Sequence, residues 1–223
     1  LHWRYGDHMA KSENAEARDW ITGLEPGTWF WSKNVPGSRQ IVHPVLSRLH
    51  DDKSSGVQRI AKGLYWRGWP EGHECFPLPP NYGIGGLLLA GAGAGFADWT
   101  ALNKLRWTTQ RPCKVLISVL GTPPKSPHPT VVYKSRKNQR RSELNWTEVT
   151  ILEAVGACWM TEEPWHECLE RFRNGISMRR LPWQARIRSE KLRWAAETED
   201  DVSVESLHLV QEVSSAVGEM AAV

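Results

Sequence analysis

The stretch from Trp29 to Trp66, WFWSKNVPGSRQIVHPVLSRLHDDKSSGVQRIAKGLYW, constrains the fold more than any other part of the chain. It is punctuated at Pro36-Gly37, at residues 51–56 and at Lys62-Gly63. Pro and Gly end regular elements because one lacks an N–H and the other reaches positive φ. Between the first two marks, Ile41, Val45, Leu46 and Leu49 fall at i, i+4, i+5 and i+8, one helical stripe. Arg39, Gln40, His43, Ser47, Arg48 and His50 take the opposite face. Pro44 lies inside this run, and an interior Pro costs ~3 kcal/mol. Regular helix is therefore expected from Val42 or His43, with Ser38 to Gln40 as its lead-in. Val57–Ala61 and Leu64–Arg67 are two strand-like runs, and Lys62-Gly63 supplies a hairpin turn between them.

Upstream, Asn14–Leu24 predicts a helix capped by Asn14, with Ala17, Trp20, Ile21 and Leu24 on one face. Thr28-Trp29-Phe30 is short and β-prone. Trp31–Val35 is a candidate second helix with Ser32 as its cap. Helix, turn, amphipathic helix and hairpin in this order predict a winged helix-turn-helix over residues 9–70. An amphipathic helix followed by a hairpin also occurs as plain scaffold.

Residues 71–80 form a linker rich in Pro and Gly, and a second domain is expected over 81–223. Its expected parts are a close-packed helix within Gly83–Gly95, a helix Trp99–Leu105 capped by Asp98, strands Lys114–Leu120 and Thr130–Lys134, and a helix Trp146–Trp159 capped by Asn145 or Thr147. Further helices are expected at Glu163–Phe172, Trp183–Glu197 and Val202–Ala216. The fold class is thus α+β: a winged unit, then a mainly helical domain with a small sheet. Most of the 13 Trp residues are expected to be core or helix-packing residues, since each buries a large area. Leu1–His8 precede Met9 and read as an expression scar or a disordered start.

The net charge of +3 hides a strong asymmetry. Thr28–Pro70 carries a net +5, Lys104–Arg141 holds ten bases and no acid, and Ser142–Val223 carries a net −7. This distribution suggests a polyanion partner for the first two stretches, against the alternative of ordinary solvated faces. For DNA, Ser38, Arg39, Gln40, His43, Ser47 and Arg48 are the candidate readers. Arg pairs with guanine and Gln with adenine in a groove ~12 Å wide. Arg59 and Lys62 on the hairpin suit phosphates or a minor groove. The densest basic run, KSRKNQRR, offers Lys134, Arg136, Lys137, Arg140 and Arg141 as a second candidate polyanion site, or else a solvated loop.

Other chemistries lack their patterns. The four cysteines (Cys75, Cys113, Cys158, Cys168) form no CxxC pair, so no metal site is expected. The tripeptide His-Glu-Cys occurs at 73–75 and 166–168 without any known zinc spacing. The glycine run has neither GxGxxG after a strand nor a closing Gly-Lys-Ser/Thr, so no nucleotide cofactor is expected. Lys104–Arg141 lacks the carboxylates that a nuclease metal needs. No nucleophilic triad stands out, and an enzyme is not expected. The longest apolar run, Ile84–Ala97, is about 14 residues, too short for a ~30 Å bilayer. Without a secretory segment, a reducing cytoplasm is the expected compartment.

Three stretches are similar to the AbiEi family of antitoxins: PVLSRLHDDKSSGVQRIAKGLYWRG (Pro44–Gly68), GFADWTALNKLRWTTQRPCKV (Gly95–Val115) and LNWTEVTILEAV (Leu144–Val155). Their order and spacing carry the resemblance across most of Ala15 to Val213. It implies a bacterial or phage-encoded repressor whose winged domain binds inverted repeats in its own promoter. It implies a C-terminal domain that counteracts a nucleotidyltransferase toxin, with or without direct contact. The chain departs from the family pattern at Pro44, at Leu105-Arg106-Trp107 and in its glycine-rich helix. The alternatives are a winged regulator of a phage or mobile element with no toxin, and a DNA-processing enzyme that uses the first domain for targeting. A monomer that pairs on palindromic DNA fits the repressor expectation.

Overall fold

The computed structural model describes residues 12–70, 81–161 and 187–199, with positions 164, 166–167, 170, 208 and 210–212. Residues 1–8, the linker 71–80, His73-Glu74-Cys75 and most of the helices expected at Glu163–Phe172 and Val202–Ala216 lie outside the described residues. The chain divides into two units, Leu1–Asn81 and Tyr82–Val223. Helices and two small sheets make it an α+β protein. Among the described residues no helix is long and apolar enough to cross a membrane.

Unit 1 begins with helix α1 (Glu13–Thr22). Ser12, not Asn14, caps it: its side chain accepts the Ala15 N–H at 3.3 Å, and Glu13 and Glu16 meet the positive end of the dipole. Strand β1 (Thr28–Trp31) follows, then a single 3-10 turn, Ser32–Asn34. The expected second helix is only this turn, and Ser32 lies inside it rather than capping it. Trp31 belongs to the strand because its backbone pairs with Leu64.

Helix α2 spans Arg39–Asp51, so regular helix starts three or four residues earlier than Pro44 led us to expect. Ser38 is extended, and its carbonyl accepts from Ile41 and Val42 at 3.0 and 2.9 Å. Burial explains the difference. Val42, Val45, Leu46 and Leu49 are the buried stripe, with Ile41 only half-buried. Burying four such side chains contributes about 1.5–3 kcal/mol each, which outweighs the ~3 kcal/mol cost of one interior Pro. Pro44 is exposed, as is Gln40, whose carbonyl is the one its missing N–H leaves over.

A 3-10 turn (Lys53–Ser55) and Gly56 at φ +72° lead into strands β2 (Val57–Ala61) and β3 (Leu64–Arg67). A Cβ on Gly56 would lie 2.6 Å from the Trp69 carbonyl oxygen, so only glycine fits. The sheet order is β1-β3-β2, antiparallel throughout, with a register shift between Arg59 and Ala61. Phe30 pairs with Tyr65 on the core face and stacks on it at 5.7 Å. Trp20 meets Phe30 edge-on at 5.9 Å.

Unit 2 contains α3 (Tyr82–Ala90), β4 (Gly95–Phe96), α4 (Asp98–Lys104), β5 (Val115–Leu120), β6 (Val131–Arg136), α5 (Trp146–Ala157) and α6 (Ser189–Ala196). The sheet order is β4-β5-β6, with β4 antiparallel and β6 parallel to β5. Asp98 is the first residue of α4 rather than its cap, which is Ala97. Asn145 does cap α5, in a reciprocal box with Glu148 at 3.0 and 2.8 Å. Helix α5 is buried almost throughout, its polar Thr147, Glu148, Thr150 and Glu153 included. Its Thr150 hydroxyl accepts the Phe96 N–H at 3.0 Å and so secures β4. Of the described tryptophans, Trp66 and Trp107 are buried, Trp20, Trp99 and Trp146 pack half-buried against the core of their own unit, and Trp159 and Trp194 are exposed.

Candidate nucleic-acid interface

A groove of about 930 Å³ in unit 1 runs between α2, the 3-10 turn at Ser32–Asn34 and the β2–β3 hairpin. Its charged and polar walls are Lys33, Arg39, His43, His50, Arg59 and Lys62. Among the described residues no carboxylate lines it. Arg39, His43 and Ser47 follow one another at four-residue steps, so α2 presents them in a row.

Specific contacts hold the groove walls in place. Ser32 N–H donates to the Gly63 carbonyl at 2.8 Å, which ties the 3-10 turn to the hairpin tip. Gly63 takes φ +79°, as the tight turn requires. At the other end, His50 Nδ1 accepts the Arg59 backbone N–H at 3.3 Å, which joins the last turn of α2 to β2. The Ser55 hydroxyl donates to the Leu49 carbonyl and accepts from Val57 N–H. Beneath the hairpin, Arg67 is buried and donates from Nη1 to the carbonyls of Ser55 and Gly68, both at 2.6 Å. Desolvation lowers its pKa from the ordinary arginine value.

All eight sequence-predicted readers in unit 1 are exposed. Arg39, His43, Ser47, Arg59 and Lys62 line the groove, whereas Ser38, Gln40 and Arg48 do not. Ser38 is the N-cap residue of α2. Arg39 and Gln40 are helical rather than an irregular lead-in. Lys33 and His50 line the groove and were not among the predicted readers. Lys33 sits 5.9 Å from the Trp31 ring centroid, at the outer limit of a cation–π contact. A single Lys33 among uncharged neighbours carries no signal in the sequence, because its place at the groove depends on the Ser32–Gly63 bond.

The second predicted site behaves differently. Lys134 pairs with Asp98. Arg136 chelates Glu153 at 2.8 and 2.7 Å. Arg141 is buried between Glu153 at 2.5 Å and Glu199 at 2.6 Å. Arg140 donates to the Trp194 carbonyl at 2.8 Å and lies 4.1 Å from that ring's centroid. Of the five residues, Lys137 alone is exposed with no recorded side-chain partner among the described residues. The run is therefore mostly engaged inside unit 2 and is not a free basic stripe. The acids that engage it come from outside Lys104–Arg141, which is why the run looked unopposed.

Among the described residues no group of three His, Cys, Asp or Glu side chains could hold a metal ion. Cys113 and Cys158 are free thiols.

No protein-family model matches the sequence, and no curated protein is significantly similar to it. Among solved structures, the chain is similar to the crystal structure of the Rv2827c protein of Mycobacterium tuberculosis, with a TM-score of 0.46 and 11% identity. That likeness covers 93% of this chain and 80% of the other. At this TM-score it carries no argument about fold or function.

Proposed function

We propose that the chain is a sequence-specific DNA-binding autorepressor, with residues 12–70 as its winged helix-turn-helix, and an antitoxin acting against a nucleotidyltransferase toxin. The observation that carries the DNA reading is the groove between α2 and the hairpin, with basic residues and, among the described residues, no carboxylate along its walls. The element order α1, β1, turn, α2, β2, β3 supports it, with the 3-10 turn in place of the motif's middle helix.

In this reading α2 enters the major groove, which admits one helix. Arg39, His43 and Ser47 face base edges from the groove side, and Gln40 and Arg48 from the other flank. Arg59 and Lys62 take phosphates, which position the helix but carry no sequence information. The His50–Arg59 bond sets the distance between helix and hairpin. The antitoxin part rests on the resemblance carried by Gly95–Val115 and Leu144–Val155.

A gel shift with the DNA upstream of the gene tests the repressor reading. Binding is expected to be salt-sensitive, and Arg48→Ala should weaken it by ~1–3 kcal/mol if Arg48 reads a base. Unchanged affinity and salt slope in that variant would show that α2 is not the reading helix. Coexpression with a nucleotidyltransferase encoded beside the gene tests the antitoxin reading: growth should be restored, and continued arrest would sink it.

A further inference from the structure

Lys104–Arg141 contains ten bases and no acid, and the fold treats its two ends in opposite ways. Lys134, Arg136, Arg140 and Arg141 are engaged within unit 2. At the other end, the loop 106–114 (RWTTQRPCK) keeps Arg106, Arg111 and Lys114 exposed, and none of them forms an ion pair with a described residue.

This loop is held firmly although its surface is open. Trp107 anchors it in the core at 0% exposure. Asn103 Nδ2 donates to the Gln110 carbonyl at 2.9 Å. The Thr100 hydroxyl accepts the Leu116 N–H at 2.9 Å, where the loop enters β5. Anchoring on both sides lowers the ordering entropy that a ligand would otherwise have to overcome.

Arg106 supplies a second, independent observation. The Trp107 N–H donates to the Leu102 carbonyl at 2.8 Å and the Arg106 N–H to the Asn103 carbonyl at 3.1 Å. That is a Schellman closure of α4, whose left-handed position is ordinarily glycine. Here it is arginine at φ +62°. A strained backbone position filled by an exposed cation points to a use for that cation.

We infer that the loop 106–114 is a second polyanion-binding surface, in unit 2, where Arg106, Arg111 and Lys114 contact the phosphodiester backbone of a nucleic acid. The exposed positions of the loop carry three cations, the Thr109 hydroxyl, the Gln110 amide and the small Cys113 thiol, with no large apolar side chain. Such a surface fits phosphates rather than bases, and its binding is independent of sequence. It does not depend on the unit 1 groove.

The test uses the full chain with a 30-bp DNA duplex and a 30-bp RNA duplex of arbitrary sequence, with affinity read by fluorescence anisotropy across a salt series. One variant is Arg106→Gly/Arg111→Gln/Lys114→Gln and the other is Arg59→Gln/Lys62→Gln. Each lost phosphate contact lowers the slope of log K against log salt by ~0.9, so the loop variant should lose roughly 2–3 on at least one duplex. Whichever duplex shows the loss is the partner. A slope lowered by the hairpin variant alone overturns the loop surface and leaves the unit 1 reading intact. A slope lowered by the loop variant alone supports the loop and counts against unit 1. No binding by the wild type overturns both. Arg106→Gly alone separates charge from architecture: it should raise the melting temperature, because glycine suits the left-handed position, while lowering the slope by ~0.9. A higher melting temperature with an unchanged slope would mean that Arg106 is only a helix terminator.

Discussion

Arg141 and Glu153 form a buried ion pair, with Nη1 and Oε1 2.5 Å apart and side chains 3% and 2% exposed. Arg136 grips both oxygens of the same carboxylate, and Glu199 takes Arg141 Nε at 2.6 Å. The cluster therefore joins β6, the 3-10 turn at Gln139–Glu143, α5 and the residues just after α6. Burial pushes the Glu153 carboxyl upward, but the Arg136 hydrogen bond and the charges of both arginines outweigh it, so its pKa lies below the ordinary carboxylate value.

Glu153→Gln should destabilise unit 2 by ~3–5 kcal/mol, because it leaves a buried guanidinium short of its partner. The sign with pH follows from the lowered pKa. The stabilisation is complete above the unfolded glutamate value of ~4.3 and is lost as pH falls through the folded value. Urea denaturation of the wild type should weaken with acid in that window, and the Gln variant should lack this component. Parallel acid profiles would show that Glu153 is not the group responsible.

Tyr133 donates to the Gly86 carbonyl at 3.0 Å, and burial pushes its phenol up to about 12. The folded value lies above the ordinary ~10, so this stabilisation is full below ~10 and is lost as pH rises through the folded value. Phenolate absorbance should show one tyrosine titrating late, and Tyr133→Phe should remove that step. A late step that survives in the Phe variant would assign it to another residue.

Gly95 and Gly86 are both close-approach positions, but what they approach differs. A Cβ on Gly95 would lie 2.7 Å from the Thr150 backbone nitrogen, which cannot move without shifting α5. A Cβ on Gly86 would meet the Ile117 Cδ1 tip at 2.5 Å and Val131 Cγ1 at 3.0 Å, side-chain atoms rather than backbone. Gly95→Ala should cost about 3 kcal/mol or more. Gly86→Ala should cost about 1 kcal/mol or less, since helix propensity returns ~1 kcal/mol. Equal losses in chemical denaturation would contradict this distinction.

Pro44→Ala should stabilise unit 1 by about 2 kcal/mol. An interior Pro costs ~3 kcal/mol, of which the freer unfolded chain takes back up to ~1. Denaturation midpoints check this. No gain would mean that α2 has adapted to the ring.

Parts of this fold were legible in the residues alone. Strands β2 and β3 have the expected boundaries, because Lys62-Gly63 separates two short strand-like runs and Gly63 takes φ +79° in the turn between them. Asn145 and Glu148 carried the start of α5 in their spacing. The beginning of α2 was not legible. Local propensity placed it at Val42 or His43, with Pro44 in the first turn, whereas burial of Val42 against the unit 1 core goes with a start at Arg39.

Periodicity, caps and turn residues are short-range, so the sequence by itself determined the α+β character, the amphipathic α2 and the hairpin beside it. Which charges remain free was decided by the tertiary structure alone. Lys134 meets Asp98 across 36 residues and Arg141 meets Glu199 across 58. Coulomb energy falls with distance in space, not along the chain, so a run with no acid in its own sequence is neutralised by acids that folding brings to it. Arg106, Arg111 and Lys114 belong to the same acid-free stretch, but among the described residues no acid forms an ion pair with them.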